Sequence, residues 1–351
     1  MKNTLKIGSF ALESGVILPN VEATFSSYGV LNAQKSNVVW VCHALTANSD
    51  VLDWWSGLFG AAKLFDPKAY FIFCLNALGS CYGTTGPTSP QENKRPILDK
   101  FPLVTTRDQA RLFDEVRKRL RIDRISLVIG ASLGGQQALE WAIAQPKVID
   151  RLCLIATNAK HSAYGIAFNE SQRMAIAADP TYANGSLHGG KTGLAAARSI
   201  AMLSYRSYEG YVATQTDESD QVVTNFSASS YQRYQGQKLV HRFSPYAYVT
   251  LLNAMDAHNV GRNRNSLKDA LHSVEAQTLV VAIDSDQLFP PTEQVFLSEW
   301  IQNAGYAQIT STFGHDGFLI ETNQLSRILS DFLNKTIERY KRTQFKKSAV
   351  A

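Results

Sequence analysis

The segment Ile125-Ser-Leu-Val-Ile-Gly-Ala-Ser-Leu-Gly-Gly-Gln-Gln-Ala-Leu-Glu-Trp-Ala142 places a G-x-S-x-G motif, residues 130 to 134, between an apolar run and a helix-forming run. In this context the motif predicts a nucleophile elbow, a sharp strand-to-helix turn with Ser132 at its apex. The pentapeptide also occurs in ordinary loops, but the flanking patterns favour the elbow. Ser132 is therefore the predicted nucleophile, at the positive end of a helix.

Short apolar runs rich in β-branched and aromatic residues recur on both sides of this segment. They lie at 38–41, 70–74, 125–129, 152–156, 278–283 and 307–312. Most are apolar on both faces and several precede helical periodicity, which is typical of a mostly parallel sheet covered by helices on both sides. The alternating stretch up to about residue 29 predicts an antiparallel hairpin that extends the sheet. The expected fold class is α/β.

The strand pattern stops between about residues 158 and 274, where helical windows rich in Tyr, Ser, Gln and Arg dominate. We expect an inserted helical lid there. The predicted organisation is a core in two parts, 1–157 and 275–351, separated by the lid at 158–274. The second part ends in a helix around 324–342.

Composition excludes several classes of protein. At 351 residues with a net charge of +5, the chain has no apolar stretch of membrane-spanning length. It also has no recognisable nucleic-acid-binding module, and the basic run at 339–347 is interpreted as a solvated helix end. Four cysteines without paired spacing predict reduced thiols, buried in the strand runs except for Cys81, whose environment stays open. We expect a cytoplasmic protein without a membrane partner, a nucleic-acid partner or a metal site.

The rest of a catalytic triad follows Ser132 in the order that an elbow requires. A serine hydroxyl needs a base, and that base needs an acid to fix its tautomer. Of seven histidines, only His315 follows a late strand in a glycine-flanked loop. Asp284 and Asp286 both follow the 278–283 run, and Asp286 is preferred because Leu-Phe-Pro-Pro after it predicts a rigid loop. All three predicted residues fall at the carboxyl ends of strands, where open α/β sheets build their sites.

An acyl-transfer site also needs an oxyanion hole. One donor is expected to be the amide of Leu133, directly after the nucleophile, and the second the amide of Leu45, in the loop after an early strand. His43 in that loop is interpreted as structural. The Gly- and hydroxyl-rich segment 78–87 admits two readings, a solvent loop or a mobile wall of the site. Trp54 and Trp55 are interpreted as packing residues.

Six motifs together are similar to one family. These are His43-Ala-Leu-Thr, Gly79-Ser-Cys-Tyr-Gly-Thr-Thr-Gly-Pro87, Gly130-Ala-Ser-Leu-Gly-Gly135, Tyr231-Gln-Arg-Tyr-Gln-Gly236, Asp286-Gln-Leu-Phe-Pro-Pro291 and Gly314-His-Asp-Gly-Phe318. In this order they resemble the homoserine O-acetyltransferase family of α/β-hydrolase-fold acyltransferases. The chain departs from the family at Ala131 and Leu133, where Gly and Met are usual, and in a shorter segment at 88–101.

The resemblance implies a function and further site residues. It implies transfer of an acetyl group from acetyl-CoA to the hydroxyl of L-homoserine in methionine biosynthesis, with acetyl-CoA as a substrate and no cofactor. It assigns Ser132, Asp286 and His315 to the triad, and Arg233 and Asp316 to the substrate. A guanidinium and a carboxylate suit the two charges of an amino acid. The resemblance also implies a homodimer formed through the lid helices.

The expected mechanism is a two-step, ping-pong transfer through an acyl-enzyme on Ser132. The alternatives are a transferase that uses succinyl-CoA or serine, and an esterase or thioesterase with the same triad. A non-enzymatic binding protein is disfavoured, because a scaffold has no need of all three triad residues.

Overall fold

The computed structural model of the chain describes residues 2–90 and 95–334. Its strands are β1 Lys2–Ala11, β2 Ile17–Tyr28, β3 Val38–Cys42, β4 Phe71–Leu75, β5 Leu127–Ala131, β6 Arg151–Ile155, β7 Gln277–Ile283 and β8 Ala304–Ile309. Its helices are α1 Val51–Trp54, α2 Thr106–Arg119, α3 Leu133–Ala144, α4 Ala163–Ala177, α5 Lys191–Tyr205, α6 Tyr208–Gln215, α7 Ser227–Val240, α8 Pro245–Asp256, α9 Leu267–His272, α10 Pro291–Trp300, α11 Gly317–Ile320 and α12 Thr322–Asn334.

The eight strands form one sheet in the order β1-β2-β4-β3-β5-β6-β7-β8. The pairs β1–β2 and β2–β4 are antiparallel, and every pair from β4 to β8 is parallel. The expected α/β fold with an N-terminal antiparallel hairpin is confirmed. Because the parallel strands all end at one edge, the loops after β3, β5, β7 and β8 meet there.

Side chains of the central strands alternate between two cores. Trp40 and Cys42 of β3 pack with α2, α3, α9 and α10 on one face, while Val39 and Val41 pack with α1 and α12 on the other. This explains why the strand runs are apolar at every position, since both faces are covered. Cys42, Cys74 and Cys153 are buried free thiols, as expected, and Cys81 is partly exposed.

The predicted position of the last strand, 307–312, is wrong by three residues, because β8 spans Ala304–Ile309. Its pairing with β7 ends at Ile283 and Ile309. Beyond that point the backbone no longer pairs with β7, and the amide of Ser311 instead donates to the Asp284 carboxylate at 3.0 Å. The polar Thr-Ser-Thr sequence that seemed to continue the strand thus starts the loop that carries His315.

The chain between β6 and β7 forms the helices of the lid. The two ends of this segment lie next to each other. The amide of His161 donates to the His258 carbonyl, and that of Val260 donates to the Ala159 carbonyl. The following α9 packs in the core, so packing returns to the core before the predicted boundary at residue 274, which stays a prediction. The predicted C-terminal helix is described as far as Asn334, and the basic run at 339–347 lies outside the described residues.

None of the helices described at 2–90 and 95–334 is long and apolar enough to cross a bilayer. Trp55 is buried against Phe59 and Phe318, and Trp54 stacks on it with ring centroids 5.1 Å apart. The interpretation of this tryptophan pair as packing is confirmed.

Candidate active site

Ser132 lies on a strained turn between β5 and α3. Its φ of 57° and ψ of −127° fall in a region that L-residues rarely adopt. Its amide donates to the Ile155 carbonyl at 3.0 Å, and its carbonyl accepts from the Thr157 hydroxyl at 2.9 Å. These two bonds to β6 and its following loop hold the turn in place, as a nucleophile elbow requires.

The glycines around Ser132 permit close backbone contact. A Cβ at Gly130 would lie 2.2 Å from the carbonyl oxygen of Gly134. One at Gly134 would lie 2.0 Å from that of Cys42. Any side chain at these positions would therefore push α3 away from β5 and from the loop after β3. That close approach brings the start of α3, with Leu133, against the segment that leads to Leu45.

Asp286 is fixed in the loop after β7. Its Oδ1 accepts from the amides of Leu288 and Phe289, each at 2.9 Å, and its Oδ2 lies 2.6 Å from His315 Nδ1. The carboxylate is buried and directed at the histidine. Asp284, the other carboxylate that the sequence offered, instead accepts from the amide of Ser311. The two acids therefore have different tasks, and Asp286 is the one beside the histidine.

His315 lies in the short 3-10 turn Gly314–Asp316 and is 3% exposed. With Nδ1–H donated to Asp286, Nε2 is the free basic nitrogen. Burial lowers the pKa of His315, but the charge and hydrogen bond of Asp286 and the charge of Asp316 raise it, and the net shift is upward. Phe289 stacks on the ring at 5.1 Å, and Phe318 contacts it edge-on at 5.5 Å. The imidazole is thus held in an apolar setting with one charged partner on Nδ1.

Three other buried histidines have structural partners. His43 Nδ1 donates to the Ala44 carbonyl at 2.8 Å, and Nε2 accepts from the Ala77 amide at 2.9 Å. Burial lowers the pKa of His43 to about 4, that of His161 to about 4 and that of His258 to about 3. These side chains are therefore neutral at physiological pH, and His43 fixes the backbone just before Leu45.

Leu45 and Leu133, the predicted oxyanion donors, belong to one apolar cluster with Phe289 and lid residues. Both are buried, at 5% and 0% exposure. Their position shows that the loop after β3, the start of α3 and the lid converge beside the Asp286–His315 pair. Their role as amide donors stays a prediction.

Segment 78–87 is packed between the sheet and the lid. Thr84 Oγ1 accepts from the Thr24 amide, and Ser80 and Thr84 are 1% exposed. Tyr82 accepts from Arg242 of the lid at 2.9 Å and contacts Phe243 edge-on. The solvent-loop reading is therefore wrong, because the Thr84 and Thr85 hydroxyls instead accept from backbone amides of β2.

The structure separates the two predicted substrate residues. Asp316 Oδ2 lies 2.9 Å from Nε of Arg206, in an ion pair at the end of α5. Arg233 lies on an exposed side of α7, where it donates to Ser230 at 3.2 Å. Two further arginines that no sequence motif indicated lie nearby: Arg206, and Arg198, whose guanidinium lies over the Tyr205 ring at 5.1 Å. Tyr205 in turn contacts the His315 ring at 5.7 Å.

No motif in the sequence around these residues predicted that they lie near the site. Arg198 and Tyr205 lie on the amphipathic helix α5 and Arg206 is its C-cap, and only the docking of α5 on the loop after β8 brings this part of the lid to the His315 loop. Among residues 2–90 and 95–334, no group of three His, Cys, Asp or Glu side chains has the arrangement of a metal site.

Comparison with known proteins shows the family to which the chain belongs. A family model described as the alpha/beta hydrolase fold matches residues 37–322. The homoserine O-acetyltransferase of Cyclobacterium marinum is 44% identical, with 92% of each chain covered, and that of Chlorobium chlorochromatii is 45% identical, with 93% of each chain covered.

Solved structures agree on the fold. A homoserine O-acetyltransferase from Staphylococcus aureus has a TM-score of 0.80 at 30% identity, with 97% of each chain covered. Another from Bacillus anthracis has a TM-score of 0.88 at 24% identity, over 96% of this chain and 98% of that one. With near-complete coverage at more than 40% identity to two curated members, this chain belongs to the homoserine O-acetyltransferase family, on an α/β-hydrolase fold.

Proposed function

We propose that this protein transfers an acetyl group from acetyl-CoA to the side-chain hydroxyl of L-homoserine. The 2.6 Å contact between Asp286 and His315, at the sheet edge that also carries the strained Ser132, is the observation that supports it most strongly. The relatives are homoserine O-acetyltransferases, which supports acetyl-CoA and homoserine as the substrates, and the geometry supports a nucleophilic mechanism. The product would serve methionine biosynthesis.

In the first half-reaction, Ser132 attacks the thioester carbonyl of acetyl-CoA. His315 Nε2 accepts the proton of the hydroxyl, and Asp286 stabilises the imidazolium on the other side. The amides of Leu133 and Leu45 stabilise the oxyanion of the tetrahedral intermediate. Collapse breaks the C–S bond, and the proton on His315 passes to the leaving thiolate of CoA. No cofactor is required, because acetyl-CoA itself is the acyl donor.

In the second half-reaction, the homoserine hydroxyl attacks the acetyl-Ser132 ester. His315 now takes the proton of the incoming hydroxyl and returns it to Ser132 as O-acetylhomoserine forms. Water competes for the same ester. We propose that the lid favours homoserine by binding it in position and by narrowing access to the ester.

Homoserine carries an ammonium and a carboxylate that must both be bound. Asp316, adjacent to His315, suits the ammonium. The family resemblance assigns the carboxylate to Arg233, but the structure offers Arg198 as a second candidate, because its guanidinium reaches the Tyr205 ring that contacts His315. A guanidinium at either position would take the carboxylate in a bidentate manner.

Product analysis tests the function. Purified protein is incubated with acetyl-CoA or succinyl-CoA and with homoserine or serine, and products are identified by mass spectrometry. O-acetylhomoserine as the main product supports the proposal. O-succinylhomoserine or an acylserine would identify a related transferase instead, and fast thioester loss independent of any amino acid would identify a hydrolase.

Two variants test the acceptor site. Arg198→Gln and Arg233→Gln are compared for the KM of homoserine, with the burst of CoA release from acetyl-CoA as the measure of an intact first half-reaction. The variant that raises the homoserine KM roughly tenfold or more, with the burst retained, identifies the carboxylate-binding residue. An unchanged KM in Arg233→Gln would reject the assignment that the resemblance implies.

We further propose a homodimer formed through the lid, in the cytoplasm. The lid helices expose large apolar side chains, with Met174 63%, Leu203 56% and Tyr208 75% exposed, and such surfaces often mark interfaces. Buried free thiols suit a reducing compartment. Light scattering of wild type and Leu203→Asp tests the dimer: a dimeric mass that falls in the variant supports it, and a monomeric wild type rejects it.

A further inference from the structure

A short lid segment, residues 205–210, runs from the last residue of α5 into the first turn of α6 and contacts the loop of His315 at several points; we name it the lid clamp. Tyr205 contacts the His315 ring, and the Ser207 hydroxyl donates to the Thr312 carbonyl. Gly314 adopts a φ of +60°, and a Cβ there would lie 2.9 Å from the Ser207 amide nitrogen. Backbone and side chains of the lid clamp therefore lie directly on the turn that carries the histidine.

Arg206 makes two contacts that flank His315 along the chain. Its guanidinium lies over the Phe313 ring at 5.2 Å and forms the 2.9 Å ion pair with Asp316. The arginine itself is anchored as the C-cap of α5, where its amide donates to the Met202 carbonyl at 3.2 Å. One side chain of the lid thus contacts the residues two before and one after the histidine.

The ion pair is mostly shielded from water. The Arg206 and Asp316 side chains are 21% and 15% exposed, so the interaction is less screened than a surface pair. Among the described residues, Arg206 is the one ion-pair partner of Asp316. A carboxylate has two oxygens, and Arg206 contacts Oδ2, which leaves Oδ1 for a second cation such as an ammonium.

We infer that Arg206 is a positioning residue: from the lid, its guanidinium orients Asp316 for the ammonium of the acceptor and balances the carboxylate charge beside His315. This inference rests on the proposed transfer to homoserine. It predicts that one lid side chain affects both acceptor binding and the basicity of the histidine, although it touches neither reacting atom.

The electrostatic part follows from the groups around His315. Asp286 from the loop before α10, Asp316 from its own turn and Tyr205 from the end of α5 act on or contact His315 directly. Arg206 pairs with Asp316, Arg198 lies over Tyr205, and Tyr211 of α6 senses the charges of Arg206 and Asp316. Burial raises the pKa of Tyr205 and, to about 12, that of Tyr211, so both are neutral near pH 7. The charge of Asp316 raises the pKa of His315. Without the guanidinium, that charge is unbalanced and the pKa of His315 rises further.

The test compares Arg206→Gln with Arg206→Lys and with wild type. The glutamine variant is expected to raise the homoserine KM about three- to fivefold, the range for losing a partly exposed ion pair. Its rate of acylation by acetyl-CoA, followed by CoA release against pH, is expected to show an acid limb at higher pH. The lysine variant keeps the charge, so its acid limb should match that of wild type, while its homoserine KM rises because lysine cannot reproduce the planar guanidinium contacts.

Arg173→Gln is the matched control, because Arg173 is a lid arginine whose ion-pair partners, Asp256 and Glu170, are not in the His315 loop. It should keep the wild-type KM and acid limb. An unshifted acid limb in a folded Arg206→Gln would overturn the inference and leave the transferase function intact. If that variant does not fold, an unchanged homoserine KM in Arg206→Lys overturns it. Failure of wild type to release CoA in a burst would instead reject the proposed function.

Discussion

His315 Nδ1 lies 2.6 Å from Asp286 Oδ2, and both residues are almost completely buried. The Asp286 carboxylate is itself held by two backbone amides, which fix its orientation without adding another charge. A buried carboxylate on one nitrogen defines the tautomer of the imidazole and leaves the other nitrogen free to accept a proton. The contact with Asp286 on Nδ1 thus leaves Nε2 of His315 as the nitrogen that can accept a proton.

Asp286→Asn tests that relationship. The amide can preserve the hydrogen-bond positions but favours the wrong tautomer of His315 and does not stabilise the imidazolium. We expect the acylation rate to fall by about 10⁴-fold, as at other triads, with little change in thermal stability. The burst of CoA release at saturating acetyl-CoA measures this. A loss of less than tenfold would mean that Asp286 has no part in the proton transfer.

The backbone strain at Ser132 predicts that replacing this residue by glycine relieves strain and stabilises the fold relative to alanine, although either replacement abolishes activity. Ser132→Gly removes the Cβ from a residue with φ of 57°, whereas Ser132→Ala retains it. We expect the glycine variant to be more stable than the alanine variant by about 1 kcal/mol, and both to form no acyl-enzyme. Chemical denaturation and intact-protein mass spectrometry after incubation with acetyl-CoA measure the two properties. Equal stability of the two variants would contradict strain at this turn.

Gly134→Ala tests the close approach of α3 to the loop after β3. The new Cβ would lie 2.0 Å from the Cys42 carbonyl oxygen, so the helix must move. We expect a loss of about 1–3 kcal/mol in the free energy of unfolding, together with a slower acylation rate because Leu133 moves relative to Leu45.

Ala138→Gly, in the same helix, separates the two effects. It should also destabilise the protein, by about 1 kcal/mol from helix propensity, but without moving the start of α3. Its acylation rate should therefore match wild type. An equal loss of rate in both variants would show that reduced stability alone slows the reaction.

The raised pKa of His315 predicts the pH dependence of acylation. The imidazole accepts a proton only when neutral, so the rate should fall as pH decreases through a midpoint above the ordinary histidine value of 6.5. The same shift stabilises the fold below that ordinary value, and this contribution is lost as pH rises through the folded-state pKa. The pH profile of CoA release checks the first statement. A midpoint below 6.5 would contradict it.

Glu293, in the first turn of α10, provides a separate pH test of stability. Burial and, to a smaller extent, the charge of Asp286 raise its pKa to about 7, against the hydrogen bond from Asn158 at 2.9 Å. Folding therefore favours the protonated acid, and its stabilising effect is lost as pH rises through about 7. Glu293→Gln should raise the Tm at pH 8.5 and change it little at pH 5.5. The same shift at both pH values would contradict this assignment.

The sequence by itself determined the elbow and the order of the sheet-edge residues. Ser132, Asp286 and His315 each follow a strand signal, and the parallel sheet brings strand ends together, so local pattern was enough to predict that they lie at one edge of the sheet. The need for glycine at 130 and 134 could also be predicted from the sequence, because the backbone of the turn itself leaves no room for a side chain there.

Only the tertiary structure decided which lid residues reach the site. Arg198 and Arg206 are about 110 residues from His315 along the chain and lie on a helix whose pattern reports only which face is buried. Arg233, which the resemblance assigned to the substrate, lies on an exposed side of α7. The position of the lid helices on the core depends on packing between residues far apart in the sequence, and the local periodicity of a helix does not predict which residues it will contact. The predicted nucleophile and base can thus be inferred from local sequence patterns, whereas the ion-pair partner of Asp316 is defined only by the tertiary structure.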